Sequence, residues 1–360
     1  MISRRGFLVA GGALAVSACA PQSRQLFLSA ATDRHGQHFA AAVDADGVVP
    51  FRVPIGFRGH DVIADPAAET AIVVARRPDV ELVRFDLHSG EVLQQLTSEP
   101  GRHQYGHGVF TADGAWFLTT ENDYDNARGV IVVRDAETLR VVGEMDSYGI
   151  GPHELRWLAD DKTLAVANGG IRTHPDTGRD KLNLGSMAPS LVEIDFASGE
   201  LLKKHVPDSA FTSIRHIDIV DGDRVVMGMQ QENYAEADQP LVAITNAERK
   251  PLLPGLPDDE LRAMSQYVAS VCVDPETENA VATCPRGHRI TFWNAGRCEY
   301  LGSFRLVDAA GVCVDQNSRE FVVSTGRGYL HRFDTASLRH IAEKRVRTRD
   351  LRWDNHLIAV

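Results

Sequence analysis

The apolar residues of this chain fall into short, closely spaced runs rather than long amphipathic stripes. Ala71-Ile72-Val73-Val74-Ala75, Trp116-Phe117-Leu118-Thr119-Thr120 and Phe321-Val322-Val323-Ser324-Thr325 are typical. Runs of this length, rich in β-branched and aromatic residues and bounded by Gly, Asp, Asn and Pro, predict β-strands. A helical period is nearly absent. Residues 257–266, opening Pro257-Asp258-Asp259-Glu260, predict one or two helical turns.

Two motifs alternate along the chain. The first is a strand leading into an Asp-centred turn. It reads Gly59-His60-Asp61-Val62-Ile63-Ala64, Gly106-His107-Gly108-Val109-Phe110, Pro152-His153-Glu154-Leu155-Arg156-Trp157 and Arg215-His216-Ile217-Asp218-Ile219. Weaker copies are Ala269-Ser270-Val271-Cys272, Ala310-Gly311-Val312-Cys313 and Arg349-Asp350-Leu351-Arg352-Trp353. The second is a strand ending on an acid or amide, at Asp44, Asp86, Asp135, Asp195, Asn246, Asn294 and Asp334. Such side chains accept backbone N–H bonds in a turn, which Gly can complete with a positive φ. Each series has seven copies. Three or four short strands every roughly 40–60 residues is the spacing of β-propeller blades.

The second series starts first and the first series ends last. The final blade is therefore predicted to draw its inner strand from residues 349–354 and its outer strands from residues 26–55. The expectation is an all-β, seven-bladed β-propeller closed by pairing of its N- and C-terminal strands, which leaves no open sheet edge. Three places depart from the repeat: an insertion from Asn168 to Pro189, an extension from Glu232 to Gln239, and a linker at residues 247–266.

Composition narrows the functional classes. At 360 residues, 43% apolar and 24% charged, the chain is an ordinary globular one. A net charge of -11 argues against a nucleic-acid partner, which needs a basic surface. At the N-terminus, Ser3-Arg4-Arg5-Gly6-Phe7-Leu8 precedes an apolar run that ends at Ala18, too short to span a bilayer. This is the form of a secretory signal, and the paired arginines resemble a twin-arginine (Tat) signal. Val16-Ser17-Ala18-Cys19 resembles a lipobox, which makes Cys19 a lipidation site. The expected organisation is a signal peptide at residues 1–18, a short tether at 19–25 and one propeller at 26–360. The protein is then periplasmic, with a lipid anchor at Cys19 as its only membrane contact. Cys272, Cys284, Cys298 and Cys313 remain, and no disulfide is assigned among them.

Four consecutive repeats carry a histidine at the same point: His60, His107, His153 and His216. Propeller symmetry would turn all four toward the axis at one mouth of the channel. Neutral imidazole is the commonest protein ligand for Cu, Zn and Fe, so these are candidate ligands for one Fe, Cu or Zn ion. A structural role, each histidine bonding the neighbouring blade, is the alternative. Polar residues at nearby strand ends are candidate ligand-binding groups at the same rim. They are Glu121, Asn122 and Arg128 in one turn and Glu154 beside His153. Asn168, Arg172 and His174 lie in the blade-three insertion, with Gln230 and Arg286 in the later blades. No nucleophile elbow, P-loop or dinucleotide fingerprint is present.

Several of these segments together resemble a functionally uncharacterised bacterial family of Tat-exported propeller proteins. They are Tyr105-Gly106-His107-Gly108-Val109-Phe110, Thr120-Glu121-Asn122-Asp123-Tyr124, Gly151-Pro152-His153-Glu154-Leu155, Asn168-Gly169-Gly170-Ile171 with Thr173-His174-Pro175, and Ser213-Ile214-Arg215-His216. Members often lie beside imelysin-like, iron-linked periplasmic proteins and a cytochrome-type oxidoreductase. The resemblance implies periplasmic iron or redox-metal handling, with iron-uptake or redox proteins as partners. At fold level the chain is also similar to nitrous-oxide-reductase-like, YVTN and quinoprotein-like propellers. In the first of these, inner-strand histidines ligate a copper cluster. Four candidate histidines are fewer than that cluster needs and no cupredoxin domain is present, so that reductase activity is not implied.

Three functions follow. The first is a metal-binding or polar-ligand-binding exported propeller. The second is an enzyme, a lactonase-like hydrolase or an oxidoreductase, working from the same rim. The third is a scaffold that binds protein partners.

Overall fold

A computed structural model describes residues 25–220, 224–235 and 238–360. The expected export signal and the expected lipidation site at Cys19 lie outside the described residues, as does all of the expected tether except Gln25.

Seven antiparallel sheets succeed one another along the chain. In blade 1 the strands, from the channel outward, are Gly59–Ala64, Thr70–Ala75, Glu81–Asp86 and Val92–Thr97. Blade 2 spans Arg102–Phe110 to Val141–Asp146, and blade 3 spans Pro152–Trp157 to Leu201–His205. Blade 4 spans Thr212–Val220 to Pro251–Leu252, blade 5 Ser270–Val273 to Glu299–Arg305, and blade 6 Ala309–Asp315 to Val346–Arg347. Blade 7 joins the two chain ends. Leu351–Trp353 and Ile358–Ala359 pair with Leu26–Asp33, which is followed outward by His38–Asp44 and Arg52–Ile55. Leu26 and Val360 exchange both backbone hydrogen bonds, at 3.1 and 2.9 Å.

The apolar runs form the middle strands because both their faces are covered. Residues 71–75 are fully buried, whereas the outermost strand Val92–Thr97 has Val92 and Leu93 exposed. Apolar packing is divided among seven clusters, one between each pair of neighbouring blades. Ile72, Phe110 and Phe117 join blades 1 and 2. Cys313, Val322, Phe27 and Trp353 join blades 6 and 7. Burial on this pattern stabilises by roughly 25 cal/mol per Å² of apolar area.

The second repeat series is the turn chemistry it was expected to be. Asp86 Oδ1 accepts from the backbone N–H of His88 at 2.9 Å and of Ser89 at 2.7 Å, and Asn294 Oδ1 accepts from Arg297 N–H at 2.9 Å. Glycine is not always needed to finish the turn. Gly90 takes φ +73°, but Leu139 and Leu338 hold φ 55° and 59° at the same place. The predicted helical turns are a helix at Asp258–Ala263. Part of the expected linker before it is the short outer strand of blade 4, Pro251–Leu252.

Candidate metal centre at the channel mouth

The inner strands are irregular where they carry histidine. Pairing with the second strand slips between Gly59 and Asp61, between Gln104 and Gly108, between Pro152 and Glu154, and between Ile214 and His216. A bulge of this kind bends the strand and re-aims a side chain. Here it turns His60, His107, His153 and His216 into the channel together. Their ring centroids stand 4.8 Å apart for His60–His107, His107–His153 and His153–His216.

A fifth histidine completes the group, one that the sequence pattern missed. His356 lies 4.6 Å from His60, 4.5 Å from His107 and 5.0 Å from His216 by ring centroid. The sequence repeat aligns the seventh copy on Arg349 and Asp350, and the structure corrects that register. Counting back from the strand ends at Ala64, Phe110, Trp157 and Val220 places the histidine three or four residues earlier, and His356 keeps that spacing from Ala359. The broken inner strand of blade 7, interrupted between Trp353 and Ile358, concealed the relation. The same count in blade 6 reaches Gly311, where a Cβ would press on the His356 backbone at 2.5 Å.

Two overlapping triads emerge, His60–His107–His356 and His107–His153–His216, sharing His107. In each, one ring nitrogen per residue lies within 4.8 Å of the others. All five rings are buried, His107 completely. Carboxylates of the preceding blade back two of them. Asp61 Oδ2 is 3.1 Å from His107 Nδ1, and Glu154 Oε2 is 3.2 Å from His216 Nδ1. A carboxylate there holds the proton on Nδ1 and leaves Nε2 as a bare lone pair. His107 Nε2 and His216 Nε2 indeed have no hydrogen-bond partner among the described residues, nor do His60 Nδ1 and Nε2, His153 Nδ1 or His356 Nε2. Around the ring, Gly108 stands where an acid would back His153, and Asp354 Oδ1 stays 3.9 Å from His60 Nδ1.

The electrostatics keep the imidazoles neutral. Burial, reinforced by His216 and nearby arginines against the pull of Glu154, lowers His107 to about 3. Burial and His107 lower His356 to about 3. Burial also drives His60, His153 and His216 well below the ordinary histidine range, aided by His356 at the first and Arg215 at the other two. Asp61 and Asp218 are pushed up, mainly by burial. Arg156 Nη2 meets Glu154 Oε1 at 2.5 Å. Glu154, Asp218 and Asp61 together act on Arg156, beside the unpartnered imidazole nitrogens.

The other candidate rim residues divide. Gln230 lines the mouth and donates to Val268 O at 3.0 Å. Glu154 is at the centre, but as the support of His216 and not a free ligand group. Arg286 stacks on Tyr267, with its guanidinium carbon 4.2 Å from the ring centroid. The structure gives the rest other partners. Glu121 is buried against Arg134 at 2.8 Å, with Gln104 and Thr119 on the same oxygen, so its charge is already paired. Arg128 spans Asp123 and Glu144 at the surface. Asn122 donates to His103 Nε2 and Thr173 O, which fastens the blade-three insertion to blade 2. Asn168 donates to Ser147 O at 2.8 Å. The Arg172 backbone N–H donates to Asn183, and His174 caps the turn at Pro175–Thr177 with its ring 4.7 Å from Tyr124. Cys272, Cys284, Cys298 and Cys313 are free thiols, and burial pushes Cys284 up to about 12, so it stays protonated.

The fold and this centre define a seven-bladed β-propeller with a histidine-lined channel. The chain belongs to the family described as protein of unknown function (DUF1513), which matches residues 53–360. A solved structure titled Kuenenia stuttgartiensis Hydrazine Synthase is similar, with a TM-score of 0.62 and 16% identity. The match covers 89% of this chain and 94% of that one, a likeness of fold alone. No curated protein matches the sequence.

Proposed function

We propose that the five-histidine centre binds a first-row transition-metal ion, iron, copper or zinc, and that the protein is an exported metal-handling propeller. The observation that carries this is the set of buried, unpartnered ring nitrogens aimed at one another, two of them fixed as bare acceptors by Asp61 and Glu154. Buried polar atoms without partners cost about 1–3 kcal/mol each, so a cluster of them calls for an occupant. Imidazole nitrogens suit Cu, Zn and Fe better than Ca or Mg. A purely structural role for the histidines explains the bonds of His107 and His216 but not the empty nitrogens facing them. The periplasmic setting rests on the twin-arginine pattern, and the iron or redox partners rest on the family resemblance. Enzyme action would have to draw on the mouth itself, since Glu121 and Arg128 are paired elsewhere.

The test is elemental mass spectrometry of protein recovered from its own periplasm, beside the variant His107→Ala with His153→Ala. The expected result is about one metal ion per chain, lost in a variant whose circular dichroism is unchanged. Metal-free protein that takes up none of Cu, Fe(II) or Zn on reconstitution would sink the proposal. So would a folded variant that keeps the wild-type stoichiometry.

A further inference from the structure

Above the histidines the mouth is crowded with guanidinium groups. Arg76, Arg77, Arg179 and Arg215 line one small cavity with His60, His153 and His216. They come from separate places: the end of the second strand of blade 1, the inner strand of blade 4 and, for Arg179, the blade-three insertion. Among the described residues, only Arg76 of the four reaches a carboxylate, Asp354 at 3.1 Å, and Asp354 is also bonded by Arg58 at 2.8 Å. Arg77 meets the Tyr105 hydroxyl at 3.3 Å, and that hydroxyl itself donates to Ile171 O. Arg215 is 4% exposed, yet its Nε and Nη1 have no partner among the described residues, and Arg77 Nε has none either. Glu232, the acid that acts on Arg215 through space, is paired with Lys181.

Like charges so placed work against the fold. Burial and then Arg77 lower Arg215 to about 9. Arg179, exposed on its outer side, is still lowered to about 10 by partial burial and then by Arg76. Burial alone would raise the Tyr267 hydroxyl, but Arg76 and Arg215 outweigh it and lower it. Arg77 and Arg215 are buried without a counter-charge, which destabilises the fold unless an anion joins them.

We propose that Arg76, Arg77, Arg179 and Arg215 form a carboxylate-binding collar over the histidine ring, so that the centre receives a small carboxylate-bearing ligand. Guanidinium matches carboxylate through two parallel hydrogen bonds. Free space between the side chains is about 10 Å³, room for one water-sized group, so a carboxylate enters as the exposed Arg179 side chain swings outward. Delivery to a metal rests on the function proposed above; binding at the collar stands on the arginines alone.

The test is calorimetry and thermal melting of the full chain, as purified and after chelator treatment, with oxalate and inorganic phosphate as probes. Oxalate is expected to bind saturably and raise the melting temperature in both preparations. Arg77→Gln with Arg215→Gln should weaken oxalate by at least about tenfold. Without anion the same variant should melt at or above the wild-type temperature, because its uncompensated charges are gone. A structural role for these arginines predicts the reverse. No saturable oxalate binding, equal binding by the double variant, or phosphate binding as tightly as oxalate would each overturn the proposal. His107→Ala separates the two readings: it should lose metal yet keep oxalate binding, so either proposal can fail without the other.

Discussion

His103 shows how much a single buried side chain contributes here. Its Nδ1 donates to Gln104 O at 2.9 Å, which leaves Nε2 to accept from Asn122 and Thr173, both within 3.2 Å. Both nitrogens are used, so a second proton has nowhere to go. Burial lowers its pKa to about 4, with Arg77 and His174 adding to the effect and the Gln104 carbonyl opposing it. A histidine depressed in the folded state is protonated first in the unfolded chain. Its contribution is therefore complete above the unfolded value of 6.5 and is lost as pH falls toward 4. Between pH 7 and pH 4.5 that loss is about 2 kcal/mol. His103→Gln should be less stable at pH 7 but should lose less on acidification, by a similar amount. Urea unfolding of both proteins at the two pH values checks it; parallel losses would contradict the neutral, doubly bonded imidazole.

In the inner strands, the slip in pairing converts a repeated residue into a site. An unbulged strand alternates sides at every residue, whereas the irregularity frees His60 and Asp61 for different tasks, one toward the axis and one toward His107 of the next blade. Blade 2 needs Gly106 to make room. Its φ is +112°, and a Cβ there would overlap the His60 ring. Gly106→Ala is expected to destabilise by roughly 2 kcal/mol or more through backbone strain and overlap together, and to reduce metal retention by displacing His60. Denaturant titration with metal analysis measures both; an unchanged midpoint would show that the strand relaxes freely. The His-bearing strands and their acids were readable as a repeat. Their irregular pairing was not, because register depends on the partner strand. The arginine collar was hidden for a related reason. Arg76, Arg77, Arg179 and Arg215 occupy unrelated repeat positions, and no periodicity links a surface insertion to the mouth of the channel.

Ring closure is the property of the molecule as a whole. The last residues supply both the seventh inner strand and His356, so fold and site depend on the same dozen residues. Trp353 pairs with Ala31 and Ile358 with Leu28, and Ser29 Oγ donates to His356 O at 2.5 Å. Removing residues 349–360 should abolish a single cooperative unfolding transition, because it exposes the first strand and strips the apolar cluster between blades 6 and 7. A circular permutant that joins residues 25 and 360 through a short linker and opens at the exposed turn of Ser198 should keep the wild-type transition, since those ends already touch. Thermal melting compares the two directly. A truncated chain that still unfolds cooperatively at the wild-type temperature would mean that the seventh blade adds nothing to the ring.

Period and turn chemistry are local, and so they are written in the order of residues. Seven blades, their Asp and Asn turns, the joining of the termini and four of the five central histidines could all be read there. What lies across the axis could not. His356 joined the ring only when the broken strand of blade 7 was seen in its pairing. Glu121 and Arg128 left the site once their partners were in view, and the arginines gathered over the channel from elements far apart in the chain. A charged or coordinating side chain acts on whatever stands within a few ångströms, and across a closed ring that neighbour is set by how the blades meet.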